Sequence, residues 1–217
     1  MDDRDVGDLI GLVVTHKHAD HCLDMMALAY RLLFPVPTSC LPLYGPLSLE
    51  QTIFQYDKIF GIPSLPMLES PISTAFEFIP VIPGEKFTVA GTWTFDTLSM
   101  RHPVETLALR SFEFGFVYTA DGAYTEDLQK FCKGCNCLIS EATYPEEDGH
   151  DLNEHGHMTA AICATLAEDS ETQHLVVTHL SDPADSKLTM MTIKRQFKGN
   201  ARLAQPGLEI QLHRQGK

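Results

Sequence analysis

The residues with the clearest capacity for chemistry lie near the start of the chain, in the run Thr15-His16-Lys17-His18-Ala19-Asp20-His21. Three imidazoles and a carboxylate in so short a run are uncommon for purely structural residues. Side chains two apart in an extended chain point the same way, so His16 and His18 can bind one ion while Asp20 and His21 reach a second. Nitrogen and oxygen ligands without thiolate suit zinc, and also manganese or iron. The run therefore predicts a metal centre.

The elements around this run form a strand, a loop and a helix. Residues 9–14 are nearly all apolar, as in a strand buried on both faces, and apolar residues then recur at helical spacing from Leu23 to Leu33. Further patterns predict helices near 47–60, 125–132, 159–167 and 186–197, and strands near 75–82, 87–89, 94–100, 112–119, 138–139, 174–178 and 208–212. The predicted class is α/β or α+β, with helices covering a large mixed sheet.

Length and composition indicate one globular domain over residues 1–217, of which 44% are hydrophobic. No stretch approaches the roughly 18 apolar residues of a membrane span, and the first residues lack an export signal. We therefore expect no membrane partner. The net charge of −13 opposes attraction of polyanions, and DNA is not an expected partner.

Three of the six cysteines crowd into the run Cys132-Lys-Gly-Cys135-Asn-Cys137. This spacing occurs in zinc and redox sites, but a structural zinc needs a second pair of ligands, and the sequence offers none at similar spacing. Cys137 also opens an apolar run, where a thiol is usually a small buried hydrophobe. We expect reduced cysteines in a cytoplasmic protein.

The HxHxDH run after a buried strand resembles the metallo-β-lactamase superfamily. Other phrases match that family in order: His102 follows a predicted strand, Asp121 ends Tyr118-Thr119-Ala120-Asp121, and His179 ends Val176-Val177-Thr178-His179. The resemblance implies a four-layer αββα sandwich with two divalent ions. It also implies a hydroxide nucleophile, made from water between the ions. It assigns one ion to His16, His18 and His102, the other to Asp20, His21 and His179, and the bridging position to Asp121.

Two more phrases resemble the ribonuclease Z branch of that family. Leu138-Ile-Ser-Glu-Ala-Thr143 is similar to its His-Glu-Ala-Thr motif, with Ser140 in place of the histidine, and Gly156-His-Met-Thr159 is similar to its His-x-Thr motif. The resemblance implies that Glu141 orients His157, which protonates the leaving oxygen, as a phosphodiester requires. Its implied catalytic side chains are Asp20, Glu141 and His157. His150 and His155 lie outside these motifs, and we expect them to be exposed.

The substrate expectation depends on two departures from that branch. Enzymes that mature tRNA carry a protruding arm between the third histidine and the bridging aspartate, whereas residues 103–120 leave room only for a hairpin. With the acidic charge, this favours a small phosphodiester, such as a cyclic nucleotide or short RNA. Arg110 would either bind phosphate or form a surface ion pair. We also expect the first family strands to be missing before His16, which would expose a sheet edge and weaken metal affinity and stability.

Other functions stay open at this point. One is hydrolysis of another bond in the same superfamily, such as a lactone, thioester, sulfate ester or β-lactam. Another is tRNA 3′ processing, and a third is metal binding without catalysis. Members of the branch are often homodimers, so a homodimer is an open expectation.

Overall fold

The computed structural model describes residues 6–147, 149 and 151–212. The chain divides into two compact units, Met1–Trp93 and Thr94–Lys217. The single domain expected from the sequence stays a prediction, and His150 lies outside the described residues. Among the helices in the described part of the chain, none has the length and apolar character needed to cross a membrane.

The first unit is built on a parallel sheet with the strand order β1-β2-β3. Ala29 and Leu32 of a helix bury their side chains with Leu43 of the central strand and with Ile72. Along the chain, this unit contains β1 (Leu12–Val13), α1 (Ala19–Cys22), α2 (Asp24–Leu33), β2 (Leu41–Gly45), α3 (Leu49–Phe60), α4 (Pro71–Ala75), β3 (Phe76–Pro80) and β4 (Lys86–Val89).

The second unit contains a larger mixed sheet. In it β10, β9, β8 and β7 lie side by side as parallel strands, and β6 pairs antiparallel with both β7 and β5. The elements are β5 (Trp93–Ser99), β6 (Leu107–Ser111), β7 (Phe116–Tyr118), α5 (Glu126–Cys132), β8 (Cys137–Glu141), α6 (Leu152–His155), α7 (Ala160–Asp169), β9 (His174–Thr178), α8 (Ser186–Gln196) and β10 (Asn200–Leu203). The predicted mixture of helices and a mixed sheet is confirmed.

The strand directions decide where the candidate site of the second unit lies. Because β6 runs antiparallel to both of its neighbours, β5 points the same way as β7, β8 and β9. The carboxyl ends of these four strands therefore meet at one edge of the sheet. His102, Asp121, Glu141 and His179 lie at or just after those four ends.

Two predicted helix starts are confirmed by their caps. The hydroxyl of Thr125 accepts a hydrogen bond from the backbone N–H of Leu128, and that of Thr159 accepts one from Ile162. Each cap satisfies one of the donors that a helix start leaves unpaired. The small residues of α7 are buried, which lets this helix pack closely under the sheet.

The cysteine run lies in the core of the second unit, where Cys132, Cys135, Cys137 and Cys163 are buried as free thiols. Burial raises the pKa of Cys163 to about 12 and that of Cys137 to about 11. Burial likewise raises the pKa values of Cys132 and Cys135. These thiols are therefore protonated near neutral pH, and the expectation that Cys137 acts as a small buried hydrophobe is confirmed.

The observed strands differ from the predicted ones in several places. Leu41–Gly45 and Leu107–Ser111 are strands that the sequence patterns did not predict. Residues 112–115, predicted as the start of a strand, form the turn of the β6–β7 hairpin instead. The predicted strand at 208–212 is wrong, although alternate residues there are half-buried. The strand that pairs with β9 is Asn200–Leu203, which the sequence patterns did not predict.

Candidate functional site

The histidine run of the first unit has the local arrangement that its spacing predicts. The ring of His16 is fully buried and lies 4.9 Å from that of His18 and 4.0 Å from that of His21, between centroids. The chain turns into α1 at Ala19, and Asp20 in its first turn lies with Oδ2 3.3 Å from His21 Nε2. Three imidazoles and a carboxylate therefore gather at the end of β1.

In the second unit, His102 is held by a backbone carbonyl. Its Nδ1 lies 2.8 Å from the carbonyl oxygen of Gly156. A carbonyl only accepts, so Nδ1 carries the proton and Nε2 carries the lone pair of the neutral ring. This is the tautomer that a metal ligand binding through Nε2 requires.

Asp121 and His179 approach each other across the ends of β7 and β9. Asp121 is 2% exposed, and its Oδ2 lies 3.1 Å from His179 Nε2. The backbone is strained at both places, because Ala120 has a φ of 54° and His179 a φ of 53°. Left-handed backbone costs a non-glycine residue roughly 1–2 kcal/mol, and such strain tends to occur at functional sites.

Glu141 is a fully buried carboxylate surrounded by donors. Its Oε1 accepts from the backbone N–H of Gly122 at 2.6 Å and lies 3.1 Å from His157 Nδ1. Its Oε2 accepts from the hydroxyl of Thr143 and from the N–H of Met158 at 3.1 Å. These donors compensate for burying the charge and hold the carboxylate against His157.

The segment 156–159 ties the site together through four successive residues. Gly156 accepts from His102, His157 faces Glu141, Met158 donates to Glu141, and Thr159 caps α7. The ring of His157 stacks on that of His179 at 5.3 Å and lies edge-on to that of His102 at 5.0 Å. Asp121, His157 and His179 each bring one ligand atom to within 4.8 Å of the others.

Two further residues discussed from the sequence, His155 and Arg110, form contacts outside this cluster. His155 is exposed, as expected, and its Nδ1 lies 2.8 Å from the hydroxyl of Tyr144. Arg110 donates to the carbonyls of Phe131 and Lys133 at the end of α5, and its guanidinium lies 4.1 Å above the ring of Phe112. These contacts hold Arg110 at a helix end, and its two alternative roles, a phosphate contact or a surface ion pair, stay predictions.

Sequence reasoning assigned no role to Gly156 or Thr143. The sequence signal for Gly156 is its place directly before His157 in the motif. In the structure this glycine adopts a φ of 68°, a conformation that favours glycine. A Cβ there would lie 2.8 Å from the Cα and 2.9 Å from the Nδ1 of His102. The role of Thr143 depends on contacts between distant segments, which spacing alone does not reveal.

We expect Gly156→Ala to destabilise the protein more than the same change at a glycine with equal backbone strain and open space. Gly134 has a φ of 71° and no heavy atom within 4 Å of a built Cβ, so Gly134→Ala has only the backbone cost, about 1 kcal/mol. Gly156→Ala adds overpacking against His102 and Pro103, a further 1–3 kcal/mol or so. Urea denaturation of both variants measures the difference. Equal losses would mean that Gly156 does not constrain His102.

Comparisons with known proteins agree with this architecture. The sequence family described as a β-lactamase superfamily domain matches residues 2–180. Ribonuclease Z of Nitrosopumilus maritimus is 21% identical over 248 residues, which covers 93% of this chain and 81% of that protein. Several other curated ribonuclease Z sequences match at 32–36% identity over 65–98 residues, which is 30% or less of their own length.

Solved structures support the same fold. The metallo-β-lactamase fold protein YhfI from Bacillus subtilis matches with a TM-score of 0.74 and 25% identity, over 94% of this chain and 77% of that chain. Human short-form tRNase Z matches with a TM-score of 0.68 and 18% identity, over 95% and 80% respectively. The predicted metallo-β-lactamase fold is thereby confirmed. Since the family match covers residues 2–180, this chain belongs to the metallo-β-lactamase superfamily of hydrolases, in its ribonuclease Z-like branch.

Proposed function

We propose that this chain is a phosphodiesterase that uses two divalent metal ions to hydrolyse a small phosphodiester. The observation that carries this proposal is the pair formed by the buried Glu141 carboxylate and the half-buried His157 imidazole, with Oε1 and Nδ1 3.1 Å apart. A carboxylate and an imidazole so paired can supply a proton to a leaving group. Such a proton is most useful when the leaving group is an alkoxide, as in RNA or a cyclic nucleotide.

The donor set suits divalent zinc, with manganese and iron as alternatives. We propose that His16, His18 and His102 hold one ion, that Asp20, His21 and His179 hold the other, and that Asp121 is shared. The local geometry within each unit supports the choice of ligand atoms, since His102 presents Nε2 and His179 Nε2 lies beside Asp121. When bound, two such ions would activate a water molecule and neutralise charge on the phosphate oxygens.

The protein's own side chains then perform the proton transfer. Glu141 accepts from Nδ1 of His157, which leaves Nε2 as the atom that donates to the departing oxygen. The carboxylate stabilises the charged imidazolium before transfer and keeps the ring in one orientation. His157 is 15% exposed, so substrate can reach it while most of the ring is shielded.

The hairpin between His102 and Asp121 supports a small substrate. The segment 103–120 forms β6, a four-residue turn and β7, without an arm of the kind that holds tRNA. The net charge of −13 also disfavours a long polyanion. The second candidate, tRNA 3′ processing, is favoured by the similarity to ribonuclease Z sequences and to the human tRNase Z structure. Free buried thiols support a cytoplasmic location.

A comparison of two substrates tests the proposal. The metal-reconstituted protein is assayed with bis(p-nitrophenyl) phosphate, which has a good leaving group, and with a dinucleotide or 2′,3′-cyclic nucleotide, which expels an alkoxide. We expect wild type to hydrolyse both, and His157→Ala to lose about 10²–10⁴-fold on the alkoxide substrate and much less on the nitrophenyl substrate. His18→Ala should lose metal and both activities. His174→Ala is the control, because His174 begins β9 at the opposite edge of the sheet.

Each result decides between specific alternatives. Two bound ions without cleavage of either phosphodiester would favour a lactone, thioester, sulfate ester or β-lactam substrate. If His157→Ala loses the same factor of activity on both substrates, His157 does not protonate the leaving group. Efficient cleavage of a tRNA precursor, with poor cleavage of the small substrates, would favour the second candidate. No bound metal would overturn the proposed function.

A further inference from the structure

The hydroxyl of Thr143 is a junction between three functional side chains. Its Oγ1 donates to Glu141 Oε2 and lies 2.9 Å from His179 Nδ1 and 3.2 Å from His157 Nδ1. We infer that Thr143 is a positioning residue that joins the metal ligand His179 to the acid pair of Glu141 and His157. The inference rests on the proposed function, and it assigns a role that the family motifs did not supply.

The direction of each hydrogen bond follows from counting protons. A hydroxyl has one proton and two lone pairs, whereas an ionised carboxylate can only accept. Thr143 therefore gives its proton to Glu141, whose oxygens also accept from the backbone N–H groups of Gly122 and Met158. The lone pairs of Thr143 then face the two imidazoles, so His179 Nδ1 must carry a proton to bond with it.

This arrangement selects the tautomer of His179. With the proton on Nδ1, the lone pair lies on Nε2, the nitrogen that is 3.1 Å from Asp121 Oδ2. Ligating histidines commonly donate their other N–H to a neighbouring acceptor, and the loss of that acceptor lowers metal affinity or activity by about 10–100-fold. Thr143 is that acceptor for His179. Because Thr143 donates its own proton to Glu141, the orientation of the His179 ring is linked to the position of the Glu141 carboxylate.

The same hydroxyl links metal binding to the acid pair. His157 Nδ1 lies between Glu141 Oε1 at 3.1 Å and Thr143 Oγ1 at 3.2 Å. A His179 ring fixed by Thr143 stacks on the His157 ring with an interplanar angle of 16°. Loss of the hydroxyl should therefore free the rings of His157 and His179 to reorient. We expect this to lower metal affinity and kcat more than it changes KM.

Threonine variants of matched shape test this inference. Thr143→Val keeps the volume and removes the hydroxyl, and Thr143→Ser keeps the hydroxyl. Thr189→Val is the control for the same chemical change, because the Thr189 hydroxyl is buried in α8 without a hydrogen-bond partner among the described residues. Zinc affinity is measured by competition with a fluorescent chelator, and kcat and KM are measured on the alkoxide substrate.

We expect Thr143→Val to weaken zinc binding about 10-fold or more and to lower kcat with little change in KM. Thr143→Ser should stay within about 3-fold of wild type, and Thr189→Val should not differ from it. Imidazole nitrogen NMR of the zinc-loaded protein should find His179 protonated at Nδ1 in wild type. Wild-type zinc affinity in Thr143→Val, or an Nε2–H tautomer of His179, would overturn the inference alone. Failure of wild type to bind zinc would overturn the proposed function and this inference with it.

Discussion

Glu141→Gln is expected to slow hydrolysis of an alkoxide-releasing phosphodiester by about 10²–10⁴-fold while leaving the bound metal in place. The carboxylate contacts five donor groups, namely three backbone N–H groups, a hydroxyl and an imidazole. Glutamine has the same shape but replaces one acceptor oxygen by an NH₂ group. In either flip of the amide, that group faces donors, and the charge that stabilises a protonated His157 is lost.

The reaction assay is paired with metal analysis and thermal unfolding. We also expect Glu141→Gln to lower the stability by about 1–3 kcal/mol, because buried donors lose an acceptor. Glu168→Gln is the control: Glu168 is exposed, and its Oε2 accepts from the backbone N–H of Lys198. Glu141→Gln with wild-type rates on the alkoxide substrate would show that the pair does not deliver the proton.

The fold could be predicted where pattern and burial agree. The helix Asp24–Leu33 was predicted because apolar residues recur at helical spacing before Phe34-Pro35. The helix Ala160–Asp169 was predicted because an alanine-rich run follows the capping residue Thr159. The error at residues 112–115 has a physical cause. Phe112 is 54% exposed, and the Arg110 guanidinium lies over its ring, so an aromatic residue occupies a turn that alternation assigns to a strand.

The candidate site was predictable through the resemblance to the metallo-β-lactamase superfamily, which singled out His102, Asp121 and His179 because each follows a predicted strand. The structure adds that the ends of these strands meet at one edge of the sheet. Orientation was not predictable in the same way. The proton positions of His102 and His179 are set by Gly156 and Thr143, which lie far from them in sequence.

Two strained residues indicate that the side chains of the site are held in position at a cost in stability. Ala120 and His179 adopt a left-handed backbone conformation, which turns the polypeptide shortly after β7 and directly after β9. Neither residue is a glycine, so the surrounding contacts must hold the conformation. Thr143 forms a hydrogen bond with the ring of His179, and Glu141 accepts one from the backbone N–H of Gly122, two residues after Ala120. These hydrogen bonds lie next to the two strained residues.

Asp121→Asn is expected to remove at least one metal ion per chain and to lower hydrolysis about 10³-fold or more. A shared carboxylate supplies an oxygen and negative charge to two cations, whereas a neutral amide supplies one weaker oxygen. The loss of several kcal/mol of charge stabilisation corresponds to this fall in rate. Because Asp121 is buried beside His179, the amide would also place an NH₂ group within reach of Nε2, the nitrogen that should bind metal.

Metal content by elemental analysis and kcat/KM on both substrates provide the measurement. Asp169→Asn makes the same chemical change at an exposed side chain whose Oδ2 accepts from Gln129 Nε2 at 2.8 Å, so it should keep metal and activity. High zinc concentration should restore part of the Asp121→Asn activity, since weakened binding is offset by mass action. If Asp121→Asn instead keeps two ions and full activity, Asp121 does not bridge the metal ions, and the proposed ligand set is wrong at its central residue.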